Sequence, residues 1–192
     1  MDIILNTIFN NPNLPVIQKP GISDGFNRPA GALTKTDDSK DWVQIGGSWV
    51  TNGDGTASGT GAVLADGLAS DGALTCVIER INSNGGDLRC GAILRAVDRS
   101  NYLRASVNTV GKLTLYTIVN GSSTEAITAT GSDPKDGDTL TAFLNGENIT
   151  LTLNGEVVLT HTTNAYMEET QYGLYSQSSN SARFSSIKFV AS

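Results

Sequence analysis

Four side chains near the middle of the chain carry groups suited to recognising a polar ligand: Arg95, Tyr102, Arg104 and Tyr116. A guanidinium presents a rigid fork of donors to carboxylate and hydroxyl oxygens. A tyrosine ring stacks on such a cation and keeps its hydroxyl available for a hydrogen bond. Aromatic rings beside a few convergent polar groups are typical of binding sites. We therefore take these four residues as the candidate ligand-binding set.

Three short strands would have to position this set, and the sequence predicts them at 90–97, 102–107 and 112–119. Apolar and polar side chains alternate along each run. A period of two indicates half-buried antiparallel strands, with one dry face and one wet face. The candidate residues fall on the wet face of this predicted meander.

The relative placement of the candidates depends on the register of the first hairpin. If it is symmetric about a turn at 99–100, Arg95 lies directly opposite Arg104, and such like charges need a screening group. Tyr116 would then stack beneath Arg104, with Tyr102 on the same face. The alternative is that both arginines extend into water or pair with an acid on a strand that the pattern does not locate.

The chain as a whole is predicted to be all-β. Charged residues make up only 17% of its 192 residues, and no apolar spacing of helical period is sustained over three turns. Asn-Gly pairs at 145–146 and 154–155 separate alternating runs, which is a strong hairpin signal. About a dozen short strands at regular spacing favour a two-sheet antiparallel sandwich over residues 21–192.

Residues 1–20 differ from everything that follows. They contain Pro12, Pro15 and Pro20, which exclude a helix past Pro12 and a central strand. The apolar residues of this segment are Ile3, Ile4, Leu5, Ile8, Phe9, Leu14, Val16 and Ile17. So much apolar surface on an irregular segment predicts a docking arm, laid either on a partner or on its own domain.

Charge and hydropathy exclude two classes of partner. The net charge is −6, and no run of Lys or Arg offers a nucleic-acid footprint. No apolar segment approaches the roughly 20 residues needed to span a bilayer. The N-terminus begins with Met and lacks both the basic region and the cleavage site of a secretory signal.

The two cysteines, Cys76 and Cys90, both fall on apolar faces. In a hairpin turning through 82–86 they would lie roughly opposite each other. The sequence is then compatible with either a cross-strand disulfide or two buried free thiols. Buried thiols acting as small hydrophobes are favoured.

A family resemblance rests on the order of several short motifs. These are Gly-x-x-x-Arg-Ala-x-Asp-x-x-Asn-Tyr (91–102), Leu-x-Leu-Tyr (113–116), Gly-Asp-Thr-Leu (137–140), Leu-Asn-Gly (153–155), Tyr-Gly-Leu-Tyr (172–175) and Arg-Phe-x-x-Ile-x-Phe (183–189). The order resembles concanavalin A-like (laminin G-like) jelly-roll domains over about residues 24–190. The opening Asp-Gly-Phe-Asn-Arg-Pro (24–29) resembles the first strand of such domains in bacteriophage virion proteins and in sugar-processing bacterial proteins.

Catalytic motifs are absent from the sequence or lack their context. Glycosidases of the resembling family use Glu-x-Asp-x-x-Glu, and no such spacing exists here. The stretch 21–25 matches Gly-x-Ser-x-Gly around Ser23, but no helical pattern follows it. The single histidine, His161, has no neighbouring His, Cys or carboxylate, so it predicts neither a base nor a metal ligand.

A calcium site is considered and disfavoured. Asp133, Asp136 and Asp138 crowd one turn, but Leu144 stands where a calcium loop would place its twelfth-position Glu. Members of the resembling family often hold a structural Ca²⁺ through an acid near the last strand, where this chain has Ser185 and Ser186. Solvated turn carboxylates are expected, and no cofactor is predicted.

The expected function is a non-enzymatic bacteriophage virion protein, made in the host cytoplasm and displayed on the particle surface. It would decorate the capsid, with residues 1–20 anchoring it to the major capsid or another virion protein and the lectin-like domain open to a surface glycan. A homo-oligomer, such as a trimer, is expected from lattice symmetry. The alternatives are an extracellular bacterial carbohydrate-binding module or degenerate glycoside-hydrolase-family protein, and an enzyme using Asp98, Glu79 or Glu156.

Overall fold

The structure, a computed structural model, describes residues 19–81, 88–179 and 182–192. Within these ranges the chain forms sixteen strands and no helix. The strands are β1 (Ile22–Asp24), β2 (Gly31–Ala32), β3 (Val43–Ile45), β4 (Trp49–Thr51), β5 (Ala57–Gly59), β6 (Gly61–Asp66), β7 (Gly72–Ile81), β8 (Arg89–Asp98), β9 (Asn101–Asn108), β10 (Lys112–Val119), β11 (Ser122–Thr130), β12 (Asp138–Asn145), β13 (Asn148–Leu153), β14 (Glu156–Thr162), β15 (Gln171–Ser176) and β16 (Ala182–Ala191). The predicted all-β class is confirmed.

The strands form two antiparallel sheets. The nine-stranded sheet runs β14-β13-β12-β7-β16-β5-β4-β2, with β1 paired to β16. The seven-stranded sheet runs β11-β10-β9-β8-β15-β6-β3. The long hairpins β8–β9 and β9–β10 stay within the seven-stranded sheet, as the alternation over 90–119 predicts. The predicted two-sheet sandwich is therefore confirmed.

The main hydrophobic core lies between the two sheets. Leu74, Cys76 and Ile78 of β7 belong to the same buried cluster as Ala92 and Leu94 of β8. Buried positions alternate with half-buried ones along most of β7, which is the strand period expected for a half-buried sheet, whereas β8 is buried at seven consecutive positions. Burial of apolar area at roughly 25 cal/mol per Å² is the main force that holds such sheets together.

The two cysteines are buried, free thiols in this core. Cys76 lies on β7 of the nine-stranded sheet, whereas Cys90 lies on β8 of the seven-stranded sheet. The expectation that β7 and β8 form a hairpin is therefore wrong, because the chain crosses from one sheet to the other between them. The favoured interpretation of two buried thiols is confirmed. Burial raises the pKa of the Cys90 thiol to about 12.

The opening motif at 24–29 forms a buried polar cluster. The Asp24 carboxylate accepts hydrogen bonds from the Phe26 amide, at 2.9 Å, and from the Trp42 indole, at 2.7 Å. It also pairs with Arg28, which reaches a second carboxylate at Asp37. The side chain of Asp24 is buried, so these partners compensate its desolvation. This motif therefore stabilises a loop, and the Asp24 carboxylate is not available to a ligand.

Most of the predicted docking arm lies outside the described residues, since the structure begins at Lys19. The point at which the chain enters the fold is well defined. The Gly21 amide donates to the Gly67 carbonyl at 2.8 Å, next to the end of β6, and β1 then pairs with β16. In the described part of the chain, no helix has the length and hydropathy to cross a bilayer.

Candidate functional site

The outward face of the seven-stranded sheet carries a second hydrophobic cluster. Its buried members are Ala62, Leu64, Ile93, Ala96, Tyr102, Tyr116 and Ile118, with Ile45 and Tyr175 packed against them. All of these residues come from strands of this one sheet. A sheet that faces water normally places polar side chains on its outer face. This face is instead built from rings and aliphatic groups.

Arg104 lies at the centre of this face, between two tyrosine rings. Its guanidinium carbon is 4.6 Å from the centroid of the Tyr116 ring and 4.3 Å from that of the Tyr175 ring. Tyr116 is its direct partner on β10, while Tyr175 is two strands away on β15. The predicted stacking of Tyr116 on Arg104 is confirmed. Rings on both sides hold the guanidinium plane and attract its charge.

The strand between these groups gives Arg104 the room to reach Tyr175. In the ladder, Gly91 of β8 lies between Tyr175 and Ser106. Gly91 has a φ of +151°, and a Cβ at this position would lie 2.2 Å from the Ala105 carbonyl oxygen. Because Gly91 has no side chain, it leaves a depression in the outer face between Ser106 and Tyr175.

Two polar atoms on this face are buried and have no hydrogen-bond partner among the described residues. They are the Arg104 Nε and the Ser106 hydroxyl, two residues apart on β9. Next to Ser106, the Thr114 and Thr128 hydroxyls bond each other at 2.7 Å. A buried donor without an acceptor costs about 1–3 kcal/mol. An incoming oxygen atom would remove that cost at both groups.

Two arginines lie beside one ring of this face. The Arg89 guanidinium carbon lies 5.2 Å from the Tyr116 ring centroid, so two arginines flank this ring. Glu125 of β11 is the register partner of Tyr116, and its side chain is exposed at the sheet edge. Burial raises the pKa of Tyr102, and the neighbouring Arg104 partly offsets this rise. The phenol of Tyr102 is therefore a neutral donor at pH 7.

The side chains of this site are almost inaccessible to solvent in the structure. Arg104 is 5% exposed, Tyr116 7% and Tyr102 9%. Arg and Tyr on the outer face of a sheet are ordinarily far more open than this. Arg89 and Tyr175 are half-buried, so they are the most accessible groups of the site.

Arg95 does not belong to this face, and the expectation that it opposes Arg104 is wrong. Arg104 pairs with Ile93, because β8 bulges between Leu94 and Asp98. Arg95 lies in that bulge with a φ of +48°, and its side chain is 0% exposed. The bulge turns the side chain away from the outer face, as an extra residue in a strand does.

Arg95 instead joins loops at one end of the sandwich. Its Nε donates to the Ser70 carbonyl at 3.1 Å, and its guanidinium pairs with the Asp71 carboxylate at 2.7 Å. Asp71 also accepts from the Gly146 amide, and the Tyr172 hydroxyl donates to Ser70. Burial raises the pKa of this phenol, so it stays a donor. Arg95 is thus a structural clamp and not a ligand contact.

The turn carboxylates considered for calcium are each engaged separately. Asp136 accepts from the Ile81 amide, and Asp138 accepts from the Lys135 amide and from Asn154. Asp133 forms an exposed ion pair with Lys135. Within the described ranges, no group of three or more His, Cys, Asp or Glu is arranged to hold a metal ion. This turn also borders an open cleft of about 570 Å³ that contains no aromatic residue.

The candidate catalytic residues are dispersed. Ser23 lies in β1, paired with Lys188, so the Gly-x-Ser-x-Gly match is no nucleophile elbow. The Asp98 carboxylate accepts from the Ser100 amide and from the Asn101 side chain, which lowers its pKa and fixes the β8–β9 turn. Glu79 is an exposed residue of β7, and Glu156 is an exposed residue of β14.

Tyr175, Ser106 and Arg89 complete the face and were not among the predicted residues. The alternation along β9 contains a signal for Ser106, because it has the same parity as Tyr102 and Arg104. Tyr175 is different, since only the pairing of β15 with β8 brings it near Arg104. No local pattern specifies such a long-range pairing.

The fold is similar to those of several solved carbohydrate-active proteins. The carbohydrate-binding module CBM66 from Bacillus subtilis is 16% identical, with a TM-score of 0.60, over 78% of this chain and 95% of that one. A GH43 protein from Bacillus licheniformis is 12% identical, with a TM-score of 0.62, over 95% of this chain but only 41% of its own length. The β-glucanase of Bacillus licheniformis is 9% identical, with a TM-score of 0.52, over 91% of this chain and 99% of that one.

These likenesses identify the fold as a concanavalin A-like jelly-roll sandwich, as the sequence motifs predict. They include both a binding module and enzymes, so they do not decide whether the chain is catalytic. None of these three neighbours is described as a virion protein. The sequence matches no protein-family model and no curated protein.

Proposed function

We propose that this protein is a non-enzymatic, lectin-like module that binds carbohydrate on the outer face of its seven-stranded sheet. The observation that carries the proposal is the Tyr116–Arg104–Tyr175 stack, with the unpartnered Arg104 Nε and Ser106 hydroxyl beside it. The similarity of the fold to a carbohydrate-binding module supports the same class of ligand.

The chemistry of the face favours sugars that carry a carboxylate. Arg104 lies between two tyrosine rings with its Nε unpartnered among the described residues, and a guanidinium binds carboxylate oxygens more strongly than neutral hydroxyls. The Ser106 hydroxyl and the neutral Tyr102 phenol then form hydrogen bonds with the hydroxyl groups of the sugar ring. Tyr175 offers an aromatic surface to the apolar side of a sugar ring.

The absence of a carboxylate pair on the central strands supports binding without hydrolysis. Glycosidic cleavage needs two carboxyl groups on opposite sides of the bond. Between Arg89 and Ala96, Tyr102 and Asn108, and Thr114 and Ile118, the outward residues are Arg89, Gly91, Ile93, Ala96, Tyr102, Arg104, Ser106, Asn108, Thr114, Tyr116 and Ile118. None of these is an acid, and the register partner of Tyr116 on β11, Glu125, contributes a single carboxylate.

A glycan array that contains uronic-acid and neutral glycans tests this proposal on the full chain. Arg104→Gln removes the charge at the centre of the face, and we expect at least a tenfold loss of binding to acidic glycans, since a charged hydrogen bond contributes about 1.5–3 kcal/mol. Arg183→Gln is the matched control. It removes the same charge from β16 of the other sheet, where Arg183 pairs with Asp54, and should leave binding unchanged.

Two results would contradict the proposal. One is that the unaltered chain binds no glycan. The other is that Arg104→Gln and Arg183→Gln bind equally well, which would place any glycan site elsewhere. Release of reducing sugar from a bound glycan would replace the non-enzymatic proposal with a hydrolytic one.

Display on a bacteriophage particle is a second, separate proposal. It is supported by the composition of residues 1–20, an apolar segment broken by Pro12 and Pro15 that suits docking. The partner would be a capsid or other virion protein, and the chain would assemble there as a homo-oligomer such as a trimer. Co-sedimentation with empty capsids tests it, and a chain with Ile8→Asp and Phe9→Asp should lose that binding. Equal sedimentation of both chains would remove the anchoring role.

A further inference from the structure

We propose that a cleft at one end of the nine-stranded sheet, beside Phe143, is a second binding site and takes an uncharged sugar ring. This Phe143 cleft belongs to the other sheet of the sandwich from Arg104. It uses none of the residues of the Tyr116–Arg104–Tyr175 stack, so it does not rest on the function proposed for that stack.

The first argument is an aromatic ring that stands exposed beside a small residue. Phe143 is 48% exposed, whereas its neighbours along β12, Ala142 and Leu144, belong to the core between the sheets. In the ladder Phe143 pairs with Ala73 of β7, and Ala73 pairs with Val190 of β16. The ring and the valine are thus two strand spacings apart, about 10 Å at roughly 4.8 Å each. Only the methyl group of Ala73 lies between them.

The second argument is the space that this arrangement leaves. A cleft of about 460 Å³ lies at this end of the sheet, with Phe143, Ala73 and Val190 as its apolar wall. Asn145 and Ser192 line the same cleft and are exposed, so they offer it hydrogen-bonding groups. Small-ligand sites are typically apolar depressions of about 300–1,000 Å³ with a few polar groups at the border. The Phe143 cleft has both properties.

The third argument is charge. Among the described residues that line the cleft, none has an ionisable side chain. Over positions 73–77, 139–145, 148–152 and 186–190 of the surrounding face, Lys188 is the single charged residue that points outward. A charged ligand would lose water here without gaining a counter-ion, which is unfavourable. The cleft therefore favours an uncharged ligand, in contrast to the guanidinium of the other site.

The fourth argument is that Asp71 fixes both ends of the cleft. Its carboxylate accepts from the Gly146 amide at 3.0 Å, which holds the turn that follows Asn145. Its carbonyl accepts from the Ser192 amide at 3.3 Å, which holds the chain just after β16. The Arg95 guanidinium in turn holds the Asp71 carboxylate. The walls are therefore in place before a ligand arrives, which reduces the cost of ordering them on binding.

The chemistry of the cleft matches a sugar better than a protein partner. A sugar ring has an apolar face of C–H groups that suits Phe143, and hydroxyls that suit Asn145 and the adjacent Thr150. A stable protein interface buries about 800 Å² on each partner. The apolar row here consists of three side chains and ends at Thr150 on β13, so it provides only a small part of such an area.

Isothermal titration calorimetry of the full chain with four neutral sugars tests the site. The sugars are cellotetraose, xylotetraose, laminaritetraose and mannotetraose. Phe143→Leu keeps the apolar character but removes the ring, and we expect a loss of affinity of roughly fivefold or more for each sugar that the unaltered chain binds. Phe143→Tyr keeps the ring and should retain the affinity. Val157→Ala is the matched control, because Val157 is 65% exposed on β14 of the same sheet.

Three results would overturn the proposal. The first is that the unaltered chain binds none of the four sugars. The second is that Phe143→Leu binds them as tightly as the unaltered chain. The third is self-association of the unaltered chain, measured by sedimentation, that Phe143→Leu abolishes, because the cleft would then belong to a second copy.

Two further variants keep the test independent of folding and of the other site. Ala73→Gln places a longer side chain in the cleft without changing the ring, and should block binding if Phe143→Leu unfolds. Unchanged neutral-sugar binding by a folded Ala73→Gln chain would overturn the proposal. Arg104→Gln should leave neutral-sugar binding intact whether or not acidic glycans bind, and loss of neutral-sugar binding in this variant would assign those sugars to the Arg104 site instead.

Discussion

Arg95 and Arg104 lie nine residues apart on adjacent strands, and the sequence predicts them as opposed members of one wet face. The structure gives them different surroundings. Arg95 points into the end of the sandwich, where it pairs with Asp71 and bonds to Ser70. Arg104 lies on the outer face between Tyr116 and Tyr175, with its Nε unpartnered among the described residues.

The difference lies in how well the hydrogen-bonding capacity of each guanidinium is used. Arg95 donates to the Ser70 carbonyl and to the Asp71 carboxylate of one loop, while its Nη1 lacks a partner among the described residues. Arg104 is held mainly by ring faces, which restrict its orientation and leave donors available. The contacts of Arg95 stabilise the fold, whereas those of Arg104 leave its Nε able to donate to a ligand. The predictions that follow test this contrast, from the largest effect to the smallest.

Arg95→Met should reduce the free energy of unfolding by about 2 kcal/mol, because the Ser70 carbonyl and the partly solvated Asp71 carboxylate both lose a charged donor. Asp71 and the Ser70 carbonyl would lose their shared donor. Urea unfolding followed by tryptophan fluorescence measures the change. A loss below about 1 kcal/mol would mean that Arg95 does not act as a clamp.

Gly91→Ala should cost about 2 kcal/mol more than Gly121→Ala. Both glycines have a positive φ, +151° and +79°, but an added Cβ at 121 meets nothing within 4 Å while one at 91 meets the Ala105 carbonyl oxygen. The pair therefore compares a site that has both a steric clash and a conformation favouring glycine with an open site in the left-handed region. Thermal unfolding of the two variants gives the comparison, and equal melting temperatures would argue against close contact at Gly91.

The buried thiols should make the fold lose stability at alkaline pH. Burial raises the pKa of Cys90 to about 12, whereas an unfolded thiol ionises near 8.5. The unfolded state therefore binds fewer protons than the native state between these values, and the free energy of unfolding falls as pH rises. The expected slope is about 1.4 kcal/mol per pH unit for this thiol. Cys90→Ala should show a shallower decline between pH 9 and 11, and identical slopes would contradict the burial of that thiol.

Arg104→Met should have the smallest effect on stability, about 1 kcal/mol or less. The variant loses two ring contacts, but it also removes a buried Nε that has no partner among the described residues. The same urea unfolding experiment measures it beside Arg95→Met. Equal losses for the two variants would remove the distinction between clamp and stack.

Local patterns predicted the strands of this molecule well. The three central strands were expected at 90–97, 102–107 and 112–119, and they begin and end within about two residues of those limits. Alternation suffices there because each strand has one dry face in the core. The same alternation places Tyr102, Arg104 and Tyr116 on one face, as the structure has them.

The positions of Arg95 and Tyr175 depend on features that the alternation of apolar and polar residues does not encode. The bulge places Arg95 in a left-handed conformation and reverses the parity of β8 beyond Leu94. Tyr175 reaches Arg104 only because β15 inserts beside β8, and that neighbour is about 80 residues away in the chain. The short sequence separation of β7 and β8 likewise favours a hairpin between them, whereas the structure places the two strands in different sheets.

The central claim is that the outer face binds acidic carbohydrate through Arg104. The most direct measurement is acidic-glycan binding by the full chain, with and without Arg104→Gln. The account predicts binding by the unaltered chain and at least a tenfold loss when Arg104 is replaced. Absence of binding by the unaltered chain, or binding that Arg104→Gln leaves intact, would contradict it.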